Sequence, residues 1–270
     1  MAGFDMHIHS AASDGAFSPG QLVAIAKERG LLGLSITDHD TVSGLAEATA
    51  KAEELDIAFI PGVELSTEAA DRDIHILGYW LDAEMLLATN RLQKLAQARL
   101  HRGGEIVRRL KLLGMELDLD AIVAAAGGGS LGRPHVAQAM LEAGYVTSPR
   151  EAFAKWLGRG MPAYVPREKL TPLEAVRLIR QARGVPVIAH PATGVPDALI
   201  PLLVREGVGG MEVYHPEHNS AAEQKYGRIA RNLRIAMMGG SDFHVPGPRE
   251  IGSRITTVGQ LEILSRYKQD

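Results

Sequence analysis

The hydrophobic pattern changes character twice along the chain. Up to Trp80, short apolar runs alternate with amphipathic stretches. Residues 4–9 predict a strand. Ser18-Pro19 opens a helix as cap and first-turn proline, and Gly30 closes it. Residues 32–37 are apolar and short, like a buried parallel strand. Thr41 caps a helix expected to reach Leu55, and residues 57–64 and 74–80 predict the next strands. From 84 to 157 helical periodicity takes over, with breaks at Gly114, at Gly127-Gly128-Gly129 and at Gly144. After Pro166 the alternation resumes. Helices over 171–183, 196–206 and 219–233 lead into strands over 186–190, 210–214 and 235–239. Repeated strand–helix units imply a parallel sheet.

Composition narrows the class. The 270 residues are 46% apolar and 23% charged, with a net charge of −3, which is ordinary globular usage. With no cysteine, disulfides, thiolate zinc sites, iron–sulfur clusters and cysteine nucleophiles are excluded. No GxGxxG follows the first strand and no GxxxxGK[ST] occurs, so the pattern is neither Rossmann nor P-loop. The N-terminal MAGFDMHIHS lacks a basic segment followed by an apolar run, and no apolar window is long enough to span a membrane. A cytoplasmic location, without a membrane or an obligate protein partner, is the expectation. Charge is uneven, however. Residues 91–167 carry nine Arg and three Lys against six acids, a net of +6, leaving −9 for the rest. We expect residues 1–90 and 166–270 to form one body and 91–165 a basic helical insertion that caps it and holds an anionic substrate.

The candidate chemistry sits at predicted strand ends. The first strand ends in His7-Ile8-His9, where alternation puts both imidazoles on one face. Others end in Thr37-Asp38-His39-Asp40, Pro61-Gly62-Val63-Glu64, Ala189-His190-Pro191 and Gly240-Ser241-Asp242-Phe243-His244, and His75 lies within the fourth strand. In parallel α/β folds the C-terminal strand ends converge on one face. Each residue alone reads as a satisfied histidine or a capping aspartate. Crowded together without a metal, six imidazoles would compete for partners. Imidazole and carboxylate without thiolate suit Mn, Zn, Fe or Ni better than copper(I) or a cluster. Asp38 and Asp40 read as helix caps or as partners that orient a ligating histidine.

In their order, HIHS, TDHD, PGVE, the lone His75, AHP and SDFH resemble the motifs of the PHP family, named for polymerase and histidinol phosphatase. The resemblance spans residues 5 to 244. It implies an α/β fold, a distorted (β/α)7 TIM-like barrel, with three divalent ions, foremost Mn2+ with Zn2+, Fe2+ or Mg2+ as alternatives, and phosphoester hydrolysis. Carried over, it implies that His7, His9, Glu64 and Asp242 hold one ion. Glu64 bridges to a second held by His75 and His190, and Asp14, His39 and His244 hold the third. Some members have His where this chain has Asp14, which makes the third site richer in oxygen. Glu64, His190 and Asp242 are the implied catalytic set, and a hydroxide between the first two ions would be the nucleophile. Three carboxylates against three divalent ions leave the site at about +3, which favours a phosphate dianion.

The insertion should choose the substrate. Arg99 and Arg102 stand three apart on one helical face. Arg133 and His135, in Gly132-Arg133-Pro134-His135, open a helix where backbone N–H groups favour anions. His101, His215 and His218 read as surface residues. The SDFH ending, the insertion and the GRPH segment resemble the PHP subgroup acting on nucleotide phosphates. That implies removal of the 3′-phosphate from nucleoside 3′,5′-bisphosphates such as adenosine 3′,5′-bisphosphate. Trimming of short RNA from the 5′ end is the rival, followed by histidinol-phosphate-type phosphatase or amidohydrolase activity. Amidohydrolase barrels also begin with HxH and often use a carbamylated lysine. None of the eight lysines here lies at a predicted strand end, and Glu64 can serve as the bridge. A non-catalytic metal-binding module would need neither the basic insertion nor an open coordination position.

Overall fold

The computed structural model describes residues 3–126, 131–166, 169–247 and 249–269. Two sheets carry the fold. Strands β1 (Phe4–Ile8), β2 (Gly33–Ile36) and β3 (Ala58–Phe59) form a parallel sheet in that order. Strands β4 (Gly62–Ala69), β5 (Arg72–Tyr79), β6 (Val185–Ile188), β7 (Gly210–Tyr214) and β8 (Ala236–Gly239) form the second. The expected all-parallel arrangement does not hold, because β5 runs antiparallel to both β4 and β6. The run over 57–64 is two strands in different sheets, divided at Ile60-Pro61. Isolated bridges join the sheets along both seams, Ile8 with Phe243 and His39 with Glu64. The strand ladders themselves do not close into one continuous barrel.

Helices cover the sheets. Helix α1 (Pro19–Glu28) starts at a Ser18 capping box, with Gln21 reaching back to the Ser18 N–H. Helix α2 (Leu45–Glu54) begins later than expected, because Thr41 bonds Ser43 in a turn instead of capping. Ile8, Leu22, Leu34 and Ile36 pack the core between these two helices and the first sheet. The segment beyond Tyr79 is helical, as its periodicity predicts. It contains α3 (Ala83–Ala88), α4 (Arg91–Leu112), α5 (Leu119–Ala125), α6 (Arg133–Glu142) and α7 (Pro149–Ala152), which continues as a π turn over Phe153–Leu157. Gly114 and Gly144 end helices with φ of +83° and +74°, a left-handed conformation that glycine adopts without a Cβ penalty. The break at Gly127-Gly128-Gly129 lies outside the described residues. Ile106, Leu110, Val136, Met140 and Leu157 form an apolar cluster of their own here.

The second sheet is covered by α8 (Pro172–Gln181), α9 (Ile200–Glu206) and α10 (Ser220–Leu233). Helix α11 (Val258–Ser265), which the sequence pattern did not signal, packs on β8. Among the described residues, no helix is long and apolar enough to cross a membrane.

Candidate metal centre

The strand ends meet where the two sheets join. β1 delivers His7 and His9, both fully buried, with their Nε2 atoms 3.1 Å apart. The close approach of β8 requires glycine at 240, where a Cβ would lie 2.3 Å from the His7 Cβ. Glu64, in β4, stands at the centre. Its Oε2 lies 3.2 Å from His9 Nε2, 3.5 Å from His7 Nε2 and 3.0 Å from His39 Nδ1. Its Oε1 lies 2.9 Å from His75 Nδ1 and 3.2 Å from His190 Nε2. Asp242 Oδ1 is 3.4 Å from His7 Nε2 and 3.3 Å from His9 Nε2. Asp14 Oδ1 is 3.5 Å from His244 Nε2, and its Oδ2 is 3.9 Å from His39 Nε2. The nine residues that the resemblance points to, His7, His9, Asp14, His39, Glu64, His75, His190, Asp242 and His244, therefore share one cluster. His190 and Asp242 hold it with left-handed backbones, φ of +22° and +49°, and such strain is characteristic of functional sites.

The donor set fits metal ions. Groups of ligand atoms that could share one ion include His9, Asp14, His39 and His244; His7, His9 and Glu64; and His39, Glu64 and His75. Among the described residues, buried His9 Nδ1, His39 Nδ1, His75 Nδ1 and Glu64 Oε2 have no well-aligned hydrogen bond, an expensive arrangement unless a cation accepts their lone pairs. Without a cation, protons must do that work. Burial opposes a charge on His9, yet hydrogen bonds to Asp242 and Glu64 lift it to about 10. Burial likewise opposes a charge on His7, which Glu212, Glu64 and Asp242 raise well above the usual range. Burial would raise Glu64, but His75, His39 and His7 hold it well below the carboxylate range. His244 moves the other way, pushed down to about 4 by burial and by the neighbouring His9 charge.

Several residues went unrecognised in the sequence. Glu212, fully buried in β7, accepts from His7 Nδ1 at 3.0 Å and from the His190 N–H at 2.8 Å. His215 and His218, read as surface residues, are buried. His215 Nε2 lies 3.4 Å from Asp242 Oδ2. His218 Nδ1 lies 2.9 Å from the Val213 carbonyl, and its Nε2 accepts from the Ala192 N–H. Both lie in the segment after β7, where tertiary packing against the cluster buries them. Arg249 pairs with Asp242 and Glu217.

Beside His39, His75 and Asp14 opens a cavity of about 180 Å3, lined also by Ser66, Asp73, Arg99, Arg102, Arg133 and Lys169. Arg99 and Arg102 are buried. Arg99 donates through Nε and Nη2 to Asp40 Oδ2, at 2.9 and 2.5 Å, and through Nη2 to Ser66 Oγ. Asp40 is thus an ion-pair partner, not a helix cap. Arg102 Nε donates to the Val165 carbonyl and its guanidinium lies 5.8 Å from the Tyr164 ring centre. Arg133 lies over Phe153 and Tyr164, with Nη2 3.7 Å from Asp73 Oδ2. His135 Nδ1 accepts from the Gly132 N–H and so fixes the start of α6.

Known proteins resemble this chain in sequence and fold. The PHP domain family matches residues 5–127. The chain is 34% identical to the 5′-3′ exoribonuclease of Haemophilus influenzae, over 96% of each chain. It is also 34% identical to the 3′,5′-nucleoside bisphosphate phosphatase of Chromobacterium violaceum, over 93% of this chain and 91% of that one. A structure from Bifidobacterium adolescentis, described as a metal-dependent phosphoesterase, superposes with a TM-score of 0.93 at 28% identity. It covers 100% of this chain and 97% of its own. A Chromobacterium violaceum structure described as an amidohydrolase, with sulfate bound, superposes with a TM-score of 0.89 at 30% identity, covering 99% and 98%. With one buried carboxylate facing five imidazoles, and relatives matching nearly end to end, the chain belongs to the PHP family of metal-dependent phosphoesterases.

Proposed function

We propose that the protein is a phosphomonoesterase that removes the 3′-phosphate of nucleoside 3′,5′-bisphosphates, giving the 5′-monophosphate and phosphate. In this reading the two sheets are halves of a distorted (β/α)7 barrel, with residues 91–165 as its basic cap. His7, His9, Glu64 and Asp242 hold one divalent ion, Glu64, His75 and His190 a second, and Asp14, His39 and His244 a third, with Mn2+ the first candidate. Such ions polarise a phosphate oxygen and make hydroxide available near neutral pH. The protein's own share is positioning. Glu64 fixes five imidazoles around one point, and Glu212 sets the ring of His7.

The observation that carries the reading is the cavity beside the cluster. It places Arg102 and Arg133 next to His39 and His75, so a substrate with one phosphate on the metals has cationic partners for a second. Arginine suits that role because its planar fork binds phosphate oxygens bidentately. A second reading, 5′–3′ trimming of short RNA, draws on the equal 34% identity of the exoribonuclease relative. Both readings need a 5′-phosphate subsite and differ in what leaves from the 3′ side.

A phosphate-release screen of the Mn-loaded protein over nucleotide mono- and bisphosphates, beside 5′-phosphorylated oligoribonucleotides, tests this. We expect adenosine 3′,5′-bisphosphate to be the better substrate. Arg133→Ala should lower kcat/KM on it by roughly 10–100-fold, the scale of a charged hydrogen bond, and leave adenosine 3′-monophosphate nearly unchanged. Equal losses on both substrates would make Arg133 structural and remove the second-phosphate subsite.

A further inference from the structure

A second cavity, of about 380 Å3, opens against the outer face of α4. Arg91, Lys94 and His101 line it together with Lys169, Leu95, Ala98 and Leu170. Arg91, Lys94, Ala98 and His101 are spaced by three, four and three residues, so they form one stripe along the helix. The floor is apolar, with Leu95 and Leu170 buried, and the rim is cationic. Among the described residues that line it, Glu174 is the one acid. It stands 3.8 Å from Arg91 with both side chains nearly half exposed, a solvent-screened contact that a ligand can displace. Lys94 makes no ion pair among the described residues. An apolar floor under a cationic rim matches the chemistry of a phosphorylated organic group.

The two cavities share one residue, Lys169. It pairs with Asp73 and with Glu68, the latter at 2.8 Å, and Asp73 in turn faces Arg133. Lys169 therefore stands between the two cavities, with His39, His75 and Arg133 lining one side and Lys94 and Arg91 the other. His39, His75 and Asp14 line only the first cavity. With the phosphate to be cleaved on the metals and the 5′-phosphate at Arg133, the outer groove lies beyond the 5′ end. A strand leaving from the 3′ side would depart from the metal cluster and would not pass this way.

We propose that the groove is a subsite for a further acidic group carried on the substrate's 5′-phosphate, so that the enzyme takes nucleoside 3′-phosphates bearing a 5′-diphosphate or a longer 5′-linked anion. The inference rests on the bisphosphate reading above and extends it to a substrate class.

The test compares phosphate release from adenosine 3′-phosphate 5′-diphosphate and adenosine 3′,5′-bisphosphate by Mn-loaded wild type and an Arg91→Ala/Lys94→Ala double variant. The expected result is a roughly tenfold or greater loss of kcat/KM on the 5′-diphosphate compound in the variant, with the bisphosphate within twofold of wild type. Equal changes on both compounds, or none on either, overturn the groove. If wild type releases phosphate from neither compound, the bisphosphate reading fails, and calorimetric binding of the same two compounds to the Mn-loaded proteins then decides for the groove separately. Affinity lost by the variant only for the 5′-diphosphate compound supports the subsite, and unchanged affinity removes it.

Discussion

Glu212 connects two strands of the histidine cluster through one carboxylate. It accepts from His7 Nδ1 and from the backbone N–H of His190, which turns His7 Nε2 toward Glu64 and Asp242. A carboxylate behind a ligating imidazole fixes its tautomer and raises its basicity. Glu212→Gln keeps the shape and loses the charge. We expect it to weaken metal binding by roughly 10–100-fold, measured by competition with a chelator, and also to lower the melting temperature of the metal-free protein near neutral pH, because buried His7 loses its charged partner. Unchanged affinity would show that His7 needs no such orientation. Seven of the nine clustered residues were legible because they stand in short motifs at predicted strand ends, whereas His75 stood alone within a strand and Asp14 came only from the family resemblance. Glu212 was not legible, since Gly-Met-Glu-Val-Tyr reads as an apolar strand with one tolerated acid. An acid at a position buried on both faces was the available signal. His215 and His218 were misread because burial in a loop depends on tertiary packing that the local pattern does not carry.

At the scale of elements, the loop after β1 is held by Asp38, two residues beyond β2. Buried Asp38 accepts from the Ser10 N–H at 2.7 Å, from the Ser10 hydroxyl at 2.6 Å and from the Ser13 hydroxyl at 2.6 Å. Asp14 follows at once, so the group of His9, Asp14, His39 and His244 depends on this anchor. Asp38→Ala should cost roughly 3 kcal/mol of stability, on the scale of hydrogen bonds to a charged group, read from urea unfolding. Metal content should fall at the Asp14 group first, so that the variant binds about one ion fewer than wild type. Full metal content at wild-type stability would refute the anchor. Neither sequence reading of Asp38 described this role, since it caps no helix and orients no ligand ring. The direction of β5 was hidden for a similar reason. Ala70 and Asp71, both left-handed with φ of +48° and +62°, turn the chain between Ala69 and Arg72 as a two-residue hairpin. Ala-Asp lacks the Asn-Gly or Asp-Gly signature of such turns, and the strand was read as a parallel partner. The helical segment was legible because α4 keeps its periodicity for six turns.

For the whole molecule, the cluster links metal content to protonation. Without metal, His9 sits at about 10, with burial opposing its charge and Asp242 and Glu64 overcoming it, while His7 and His190 are also raised. Ligating nitrogens must be neutral, so metal binding displaces these protons. His244, already pushed down to about 4, has none to give near neutrality. The sign for the metal-free fold follows from linkage. A histidine whose folded pKa is raised contributes stability in full below its unfolded value, near 6.5, and loses it as pH rises through the folded value. Asp5, lifted to about 6 by burial, acts in the same direction, but its window closes near pH 6. Metal-free protein should therefore lose stability from about pH 6.5 toward pH 10. Metal affinity should rise over the same range, each displaced proton contributing about a factor of ten per pH unit. The gap in melting temperature between Mn-loaded and metal-free protein should widen from pH 6.5 to 8.5. Calorimetric titrations at pH 7.5 in buffers of different ionisation enthalpy should show net proton release. A constant gap with no proton release would mean that the imidazoles are neutral before the metal arrives, and that the unpartnered nitrogens of the cluster are held ready without protons.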